Sequence, residues 1–195
     1  MNKNLWMLGL APALALGACN SGGNTENPVT NAVPDDVNAM NMPADENVSD
    51  NAAMAASPAQ AFADAAGASD YYEVEAGKLA QDKATTQGLK DFGKMMVANH
   101  TESTEKLKAA GAKASPAVVP NPVLNAEQEA NLAALRGADG ADFDAKYKAQ
   151  QIAAHEKALA AMKDYAATGD VPELKTFAAA TEKVVETHLA KIKAM

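Results

Sequence analysis

Leu89-Lys90-Asp91-Phe92-Gly93-Lys94-Met95-Met96-Val97-Ala98-Asn99-His100 sets apolar side chains at 89, 92 and 96 and a histidine at 100. Steps of three and four residues return to one face of an α-helix. The stretch therefore predicts a helix whose inward stripe ends on an imidazole. The same phase recurs twice: Ile152, Leu159 and Met162 flank His155, and Leu174, Phe177, Val184 and Ile192 flank His188. These three are the whole histidine complement of the chain. If roughly two-fifths of helix positions face inward, chance places three independent residues there less than about one time in ten. The pattern points to a polar cluster inside packed helices.

Punctuation along the chain organises these helices. Ser57-Pro58-Ala59-Gln60 combines a serine cap, a proline at the first helical position and a glutamine three residues after the cap, a helix start signal. The helix it opens carries Phe62, Tyr71, Tyr72, Val74 and Leu79 to about Ala84, with a break or kink expected at Gly67-Ala68-Ser69. Thr85-Thr86-Gln87-Gly88 forms a tight connection to a second helix, from about Leu89 to Ala110 and ended by Gly111. The prolines at 116, 120 and 122 exclude helix and give an extended crossover. Asn125-Ala126-Glu127-Gln128 caps a short helix stopped at Gly137. A third long helix spans about Asp142 to Ala167, and Asp170-Val171-Pro172-Glu173 repeats the start signal, with Asp170 as cap, for a fourth ending near Met195. Four long helices joined by a short turn, a long crossover and another short turn describe an all-α, antiparallel four-helix bundle with a short extra helix over residues 57–195.

The chain begins with Met1-Asn2-Lys3-Asn4, an apolar run from Leu5 to Leu16, and then Gly17-Ala18-Cys19. A positive start, about a dozen apolar residues and small residues before a break predict a secretory signal over residues 1–18. Leu16-Gly17-Ala18-Cys19 resembles the lipobox of bacterial lipoproteins, which implies cleavage before Cys19 and lipid on its sulfur and amino group. Two or more acyl chains suffice for stable membrane attachment. Asn20, rather than aspartate, after the cysteine favours the outer membrane, with the protein facing the periplasm. Residues 19–56 are rich in Asn, Asp, Ala, Pro, Gly and Ser and hold no aromatic residue, so they read as a disordered tether. Met40, Met42 and Met54 within it are soft ligand types for copper, but scattered in such a segment they read as incidental. With Cys19 the only cysteine, an intramolecular disulfide is excluded. A net charge of −8 and the lack of a basic run argue against nucleic acid as a partner.

Depth can be counted from the turns at about 1.5 Å per residue. From a first turn near residue 87, His100 lies about thirteen residues along, which places Glu75 opposite it. Glu75 shares a face with Tyr72 and Leu79, while Glu73 is read as rotated away. His155 and His188 lie within about one helical turn of each other in depth. Glu75, His100, His155 and His188 are thus the candidate ligands, converging at mid-bundle. Three imidazoles and a carboxylate suit zinc, iron, copper or nickel, and ligand type alone does not choose among them. Met96, one turn before His100, reads as packing. The alternative is a metal-free polar core in which the histidines pair with Glu75, Tyr72 or Thr181 to fix helix register. Ferritin-like di-iron sites use a Glu-x-x-His motif on two helices. Here the positions three before the histidines are Val97, Ile152 and Val185, which disfavours a carboxylate-bridged pair of irons.

Glu73-Val74-Glu75-Ala76-Gly77-Lys78-Leu79-Ala80, the segment from Phe92 to Thr101, Phe143-Asp144 with Tyr147 and His155, and Leu189 after His188 together resemble the bacterial exported family named domain of unknown function 4142. The resemblance runs from about Phe62 to the end. It implies a ferritin-like bundle in the cell envelope, with the acid of the first helix and the three histidines as recurring polar positions. It implies no established activity. Family members often carry glutamine after the third-helix histidine, where this chain has Glu156.

These readings favour a lipid-tethered, metal-binding bundle serving metal handling or envelope stress. A structural or interaction module with an envelope protein partner is the alternative. No nucleophile with a base and orienter, and no phosphate loop, is identifiable, so ferroxidase-like chemistry is the only concrete enzymatic reading.

Overall fold

In the computed structural model, residues 56–195 are described, and they form five helices. Residues 1–18, Cys19, the three tether methionines and all but the last tether residue lie outside them. The helices are α1 (Pro58–Lys83), α2 (Gln87–Lys113), α3 (Ala126–Gly137), α4 (Gly140–Thr168) and α5 (Pro172–Lys193). The fold is all-α, with no strand among the described residues. No described helix is long and apolar enough to cross a membrane.

Two of the three helix starts read as capped hold as such. Ser57 Oγ accepts from the Gln60 amide at 3.2 Å, with Pro58 opening α1. Asn125 and Gln128 form a reciprocal box at α3, each side chain accepting from the other's backbone amide at 2.9 and 3.0 Å. Such caps stabilise a helix by about 1 kcal/mol each. At α5 the expectation fails: Val171 is the cap position and no side chain fills the role. Asp170 instead accepts from the Tyr165 hydroxyl at 3.0 Å, so the carboxylate is claimed by the end of α4.

Nor does α1 break at Gly67. That glycine sits against the crossover, where an added Cβ would lie 3.4 Å from Pro120 Cβ. The crossover is fastened to α1 by Gln60 Nε2 donating to the Val119 carbonyl at 2.6 Å and by the Asn121 amide donating to Asp64 Oδ1 at 2.8 Å. The proline-rich strap thus lies in contact with α1 at Gly67, and the helix runs through that position unbroken.

Short connections make α1 and α2 one hairpin and α4 and α5 another. Between the hairpins α1 packs on α4 and α2 on α5, while α3 leans on α1 and α4. Along the buried face of α1, which also holds Tyr72, runs a row of small residues broken by two acids: Ala59, Ala63, Ala66, Asp70, Glu73, Gly77 and Ala80, at alternating steps of four and three. That row lets α2 approach backbone to backbone at Gly77 and Gly93.

Apolar burial falls into two clusters. One holds Leu89, Phe92, Met96, Phe143, Tyr147 and Ile192. The other holds Leu107, Met162, Tyr165, Leu174 and Phe177. Burying each large side chain contributes about 1.5–3 kcal/mol. Along every long helix the residues between the two clusters include buried polar groups: Asp70, Glu73, His100, Gln151, His155 and His188.

Candidate metal centre

α2, α4 and α5 each deliver one imidazole to that polar layer. His100, His155 and His188 are buried, and one nitrogen from each lies within 4.8 Å of the others. The rings stand 5.4 to 5.9 Å apart between centroids. Phe92 packs near His155 and His188 at 6.3 and 6.4 Å, closing the cluster on its apolar side. The helical phase of the histidines is thus as the sequence predicts. The stripe leading to His188 is not: Val185 is buried, whereas Val184 is 42 % exposed. Met96 belongs to an apolar cluster.

The acid is a different one. Glu75 points outward and its carboxylate pairs with Lys78 Nζ at 2.7 Å. Glu73 is the buried residue at this level, 1 % exposed. Residues two apart on a helix differ by about 200° in direction, so an inward Glu73 forces Glu75 out. Depth counting found the right level but the wrong face, because large residues such as Tyr72 and Leu79 set the assumed phase. Glu75→Gln is accordingly expected to leave metal retention unchanged and stability within about 0.5 kcal/mol, as for an exposed pair. Loss of metal on that substitution, measured by elemental analysis, would restore Glu75 to the site.

Two inward acids on α1 serve the cluster instead. Asp70 Oδ1 lies 2.8 Å from His100 Nδ1, while its second oxygen accepts from Thr104 Oγ1 at 3.3 Å. Glu73 accepts from Gln151 Nε2 at 2.6 Å and stands 3.7 Å from His155 Nδ1. His155 Nδ1 lies 2.8 Å from the Gln151 carbonyl, and His155 Nε2 lies 3.4 Å from His188 Nδ1. His188 Nε2 in turn meets Asn99 Nδ2 at 2.9 Å. Tyr72, read as a possible histidine partner, instead donates to Gln150 at 3.0 Å.

Among the described residues, three buried side-chain atoms have no protein partner: His100 Nε2, the Tyr147 hydroxyl and Gln151 Oε1. An unpaired buried polar atom costs about 1–3 kcal/mol. His100 Nε2 is directed into the histidine cluster, where a bound cation would satisfy it. Tyr147 and Gln151 are one turn apart on α4. Burial, aided by the charge of Glu73, pushes the Tyr147 phenol up, so it remains a neutral donor.

Charge is distributed unequally over the imidazoles. Burial works to lower the pKa of His100, but the Asp70 hydrogen bond and the charges of Glu73 and Asp70 outweigh it and raise the value. Burial lowers His155, with Glu73 opposing. Burial and the neighbouring His100 and His155 lower His188 to about 3. His155 and His188 are thus biased toward the neutral form that ligates a metal, and His100 toward the protonated one.

The depressed values carry a stability consequence for metal-free protein. Below about 6.5 the unfolded chain protonates His188, whereas the folded chain resists protonation down to about 3. Stability contributed by the neutral ring is present above that window and is lost as pH falls through it. Thermal melts between about pH 6.5 and 4 are expected to show a steeper fall in Tm for the wild type than for His188→Gln. Parallel curves would contradict the assignment.

The donor set fits a transition metal. Neutral imidazole suits zinc, copper, iron and nickel, and ligating histidines ordinarily hold their second nitrogen on a carboxylate, carbonyl or other polar group. Asp70 and the Gln151 carbonyl do this for His100 and His155. At about 2.0–2.1 Å from each nitrogen, a tetrahedral ion draws its ligands to about 3.3 Å of one another. One nitrogen from each ring now lies within 4.8 Å of the others, so a bound ion would need the rings to turn inward.

Sequence reasoning missed Asp70, Glu73, Gln151, Tyr147 and Asn99. The signal for the first two was the unbroken four-three spacing of Ala59, Ala63, Ala66, Asp70, Glu73, Gly77 and Ala80. No curated protein and no solved structure matches the chain. Residues 44–195 match the family described as Domain of unknown function (DUF4142), which covers most of the sequence and agrees with the resemblance carried by the Phe92–Thr101 and Phe143–His155 residues. The chain therefore belongs to the DUF4142 family.

Proposed function

We propose that this chain is a lipid-anchored metal-binding protein of the bacterial cell envelope, in which a ferritin-like four-helix bundle seats one transition metal ion on His100, His155 and His188. One observation carries the reading: three buried imidazoles from three helices converge within 4.8 Å, and His100 Nε2 is left without a protein partner. The mononuclear form is supported by the residues three before each histidine, which are Val97, Ile152 and Val185 rather than the glutamates of a di-iron site. Three protein ligands leave a position for water or a small ligand. The role that follows is metal handling or protection against envelope stress, with attachment through Cys19 to the outer membrane, facing the periplasm. Elemental analysis of protein purified from its native envelope tests it. About one equivalent of zinc, iron, copper or nickel is expected; metal-free protein whose stability does not respond to added metal would refute the reading.

A second reading is favoured by the contacts from Asn99 through His188 to His155 and the Gln151 carbonyl, which form a hydrogen-bonded chain without any ion. In that reading the polar layer fixes helix register, and function lies in contact with an envelope protein. Crosslinking in cells would then trap the same partner from wild type and from a His155→Ala variant, with no metal in either.

A further inference from the structure

Three groups frame the histidine cluster from outside, and they differ in the freedom they leave to the rings. A carboxylate accepts and never donates when ionised. Asp70, 2.8 Å from His100 Nδ1, therefore holds a proton on that nitrogen and turns Nε2 toward the cluster. The Gln151 carbonyl does the same for His155 at 2.8 Å. In their neutral forms both rings are therefore in the tautomer that a metal on Nε2 requires.

His188 is different, because its outer partner is an amide. Asn99 carries a donor and an acceptor on a side chain that can turn over. With Nδ2 donating to His188 Nε2 at 2.9 Å, a neutral His188 bears its proton on Nδ1, 3.4 Å from His155 Nε2. That proton occupies the position a metal would take and engages the His155 lone pair as well. With the amide turned, Asn99 Oδ1 accepts from an Nε2–H. The ring then carries the same number of protons, and the Nδ1 lone pair faces His100 and His155.

Space for the turn is present. Asn99 is half-buried at the edge of a groove of about 540 Å³ between α2 and α5, bordered also by Ser103, Phe177, Thr181 and Val184. The geometry points to Asn99 as the positioning residue that selects the His188 tautomer, and thereby sets whether the cluster is a closed hydrogen-bonded network or a three-nitrogen metal seat. This inference rests on the metal reading above.

Imidazole ¹⁵N NMR on the full chain reads the tautomer without metal, and titration with Co²⁺ reads the seat. In metal-free wild type, His188 is expected as the Nδ1–H form. Asn99→Asp presents only acceptors and is expected to move the proton to Nε2 while binding Co²⁺ at least as tightly as wild type. Asn99→Leu removes the acceptor and is expected to weaken Co²⁺ binding about 10–100-fold, the usual loss when a ligand's supporting partner is removed. An unchanged tautomer in Asn99→Asp, or wild-type Co²⁺ affinity in Asn99→Leu, would overturn the role given to Asn99. If the tautomer responds as stated but wild type takes up no Co²⁺, tautomer selection stands and the metal reading falls.

Discussion

Replacing His155 with alanine is expected to abolish stoichiometric metal retention, together with the thermal stabilisation that bound metal confers. His155 is 1 % exposed and forms one corner of the histidine triangle, its Nε2 3.4 Å from His188 Nδ1 and its ring 5.9 Å from that of His100. Without it two imidazoles remain, and neither acid of α1 supplies a third bond without giving up its own partner: Asp70 is engaged by His100 and Thr104, and Glu73 by Gln151. A ligand that binds only the folded state at 100 times its dissociation constant adds about 2.7 kcal/mol of stability. For a body of this size that corresponds to a rise in Tm on the order of 10 °C. Differential scanning with and without added metal should show the rise in wild type and none in His155→Ala. Equal rises in both would show that metal binds elsewhere.

Gly93→Ala is expected to destabilise the protein by about 2 kcal/mol, even though alanine is the better helix former by about 1 kcal/mol. The gain is local and the penalty is steric. A Cβ at Gly93 would lie 2.7 Å from the Gly77 carbonyl oxygen and 2.8 Å from Ala80 Cβ, and a Cβ at Gly77 would lie 2.7 Å from the Gly93 carbonyl oxygen. Backbone atoms cannot rotate out of the way as side-chain tips can, so α1 and α2 must separate. Overpacking of this kind costs about 1–3 kcal/mol and occasionally more. His100 lies two turns further along α2, so separation also displaces the Asp70–His100 contact, and metal affinity should fall with stability. Gly88→Ala supplies the contrast, because nothing lies within 4 Å of an added Cβ there. Urea melts should place Gly88→Ala at or above wild type and Gly93→Ala well below. A neutral Gly93→Ala would mean that the helices are not held in backbone contact.

How much of this architecture could be read beforehand depended on which physical signal a residue carries. Ser57-Pro58 and Asn125 announce helix starts by local hydrogen bonding, and the structure keeps both. Asp170 offers the same signal and fails, because Tyr165, five residues earlier at the end of α4, competes for its carboxylate. The histidine stripes were legible because Phe92, Met96 and Met162 mark an inward face by size and apolarity. On α1 the inward face is mostly alanine and glycine, which look the same on a buried and an exposed side, so the stripe drawn from the buried Tyr72 to Leu79 took in Glu75 and passed over Glu73. Val184 and Val185 show the same limit: adjacent valines at four and three residues before His188 fit helical spacing equally well, and only tertiary packing, which buries Val185, decides between them. Asn99 gave no sequence signal at all, since its role arises from the contact of α2 with α5.

X-ray absorption at the edge of the metal that co-purifies with the protein distinguishes a single three-histidine seat from any other mode of binding. About one equivalent per chain with three imidazole nitrogens at about 2.0–2.1 Å, absent from His155→Ala, is the expected result. A first shell of oxygen alone, or the same spectrum from wild type and His155→Ala, would contradict it.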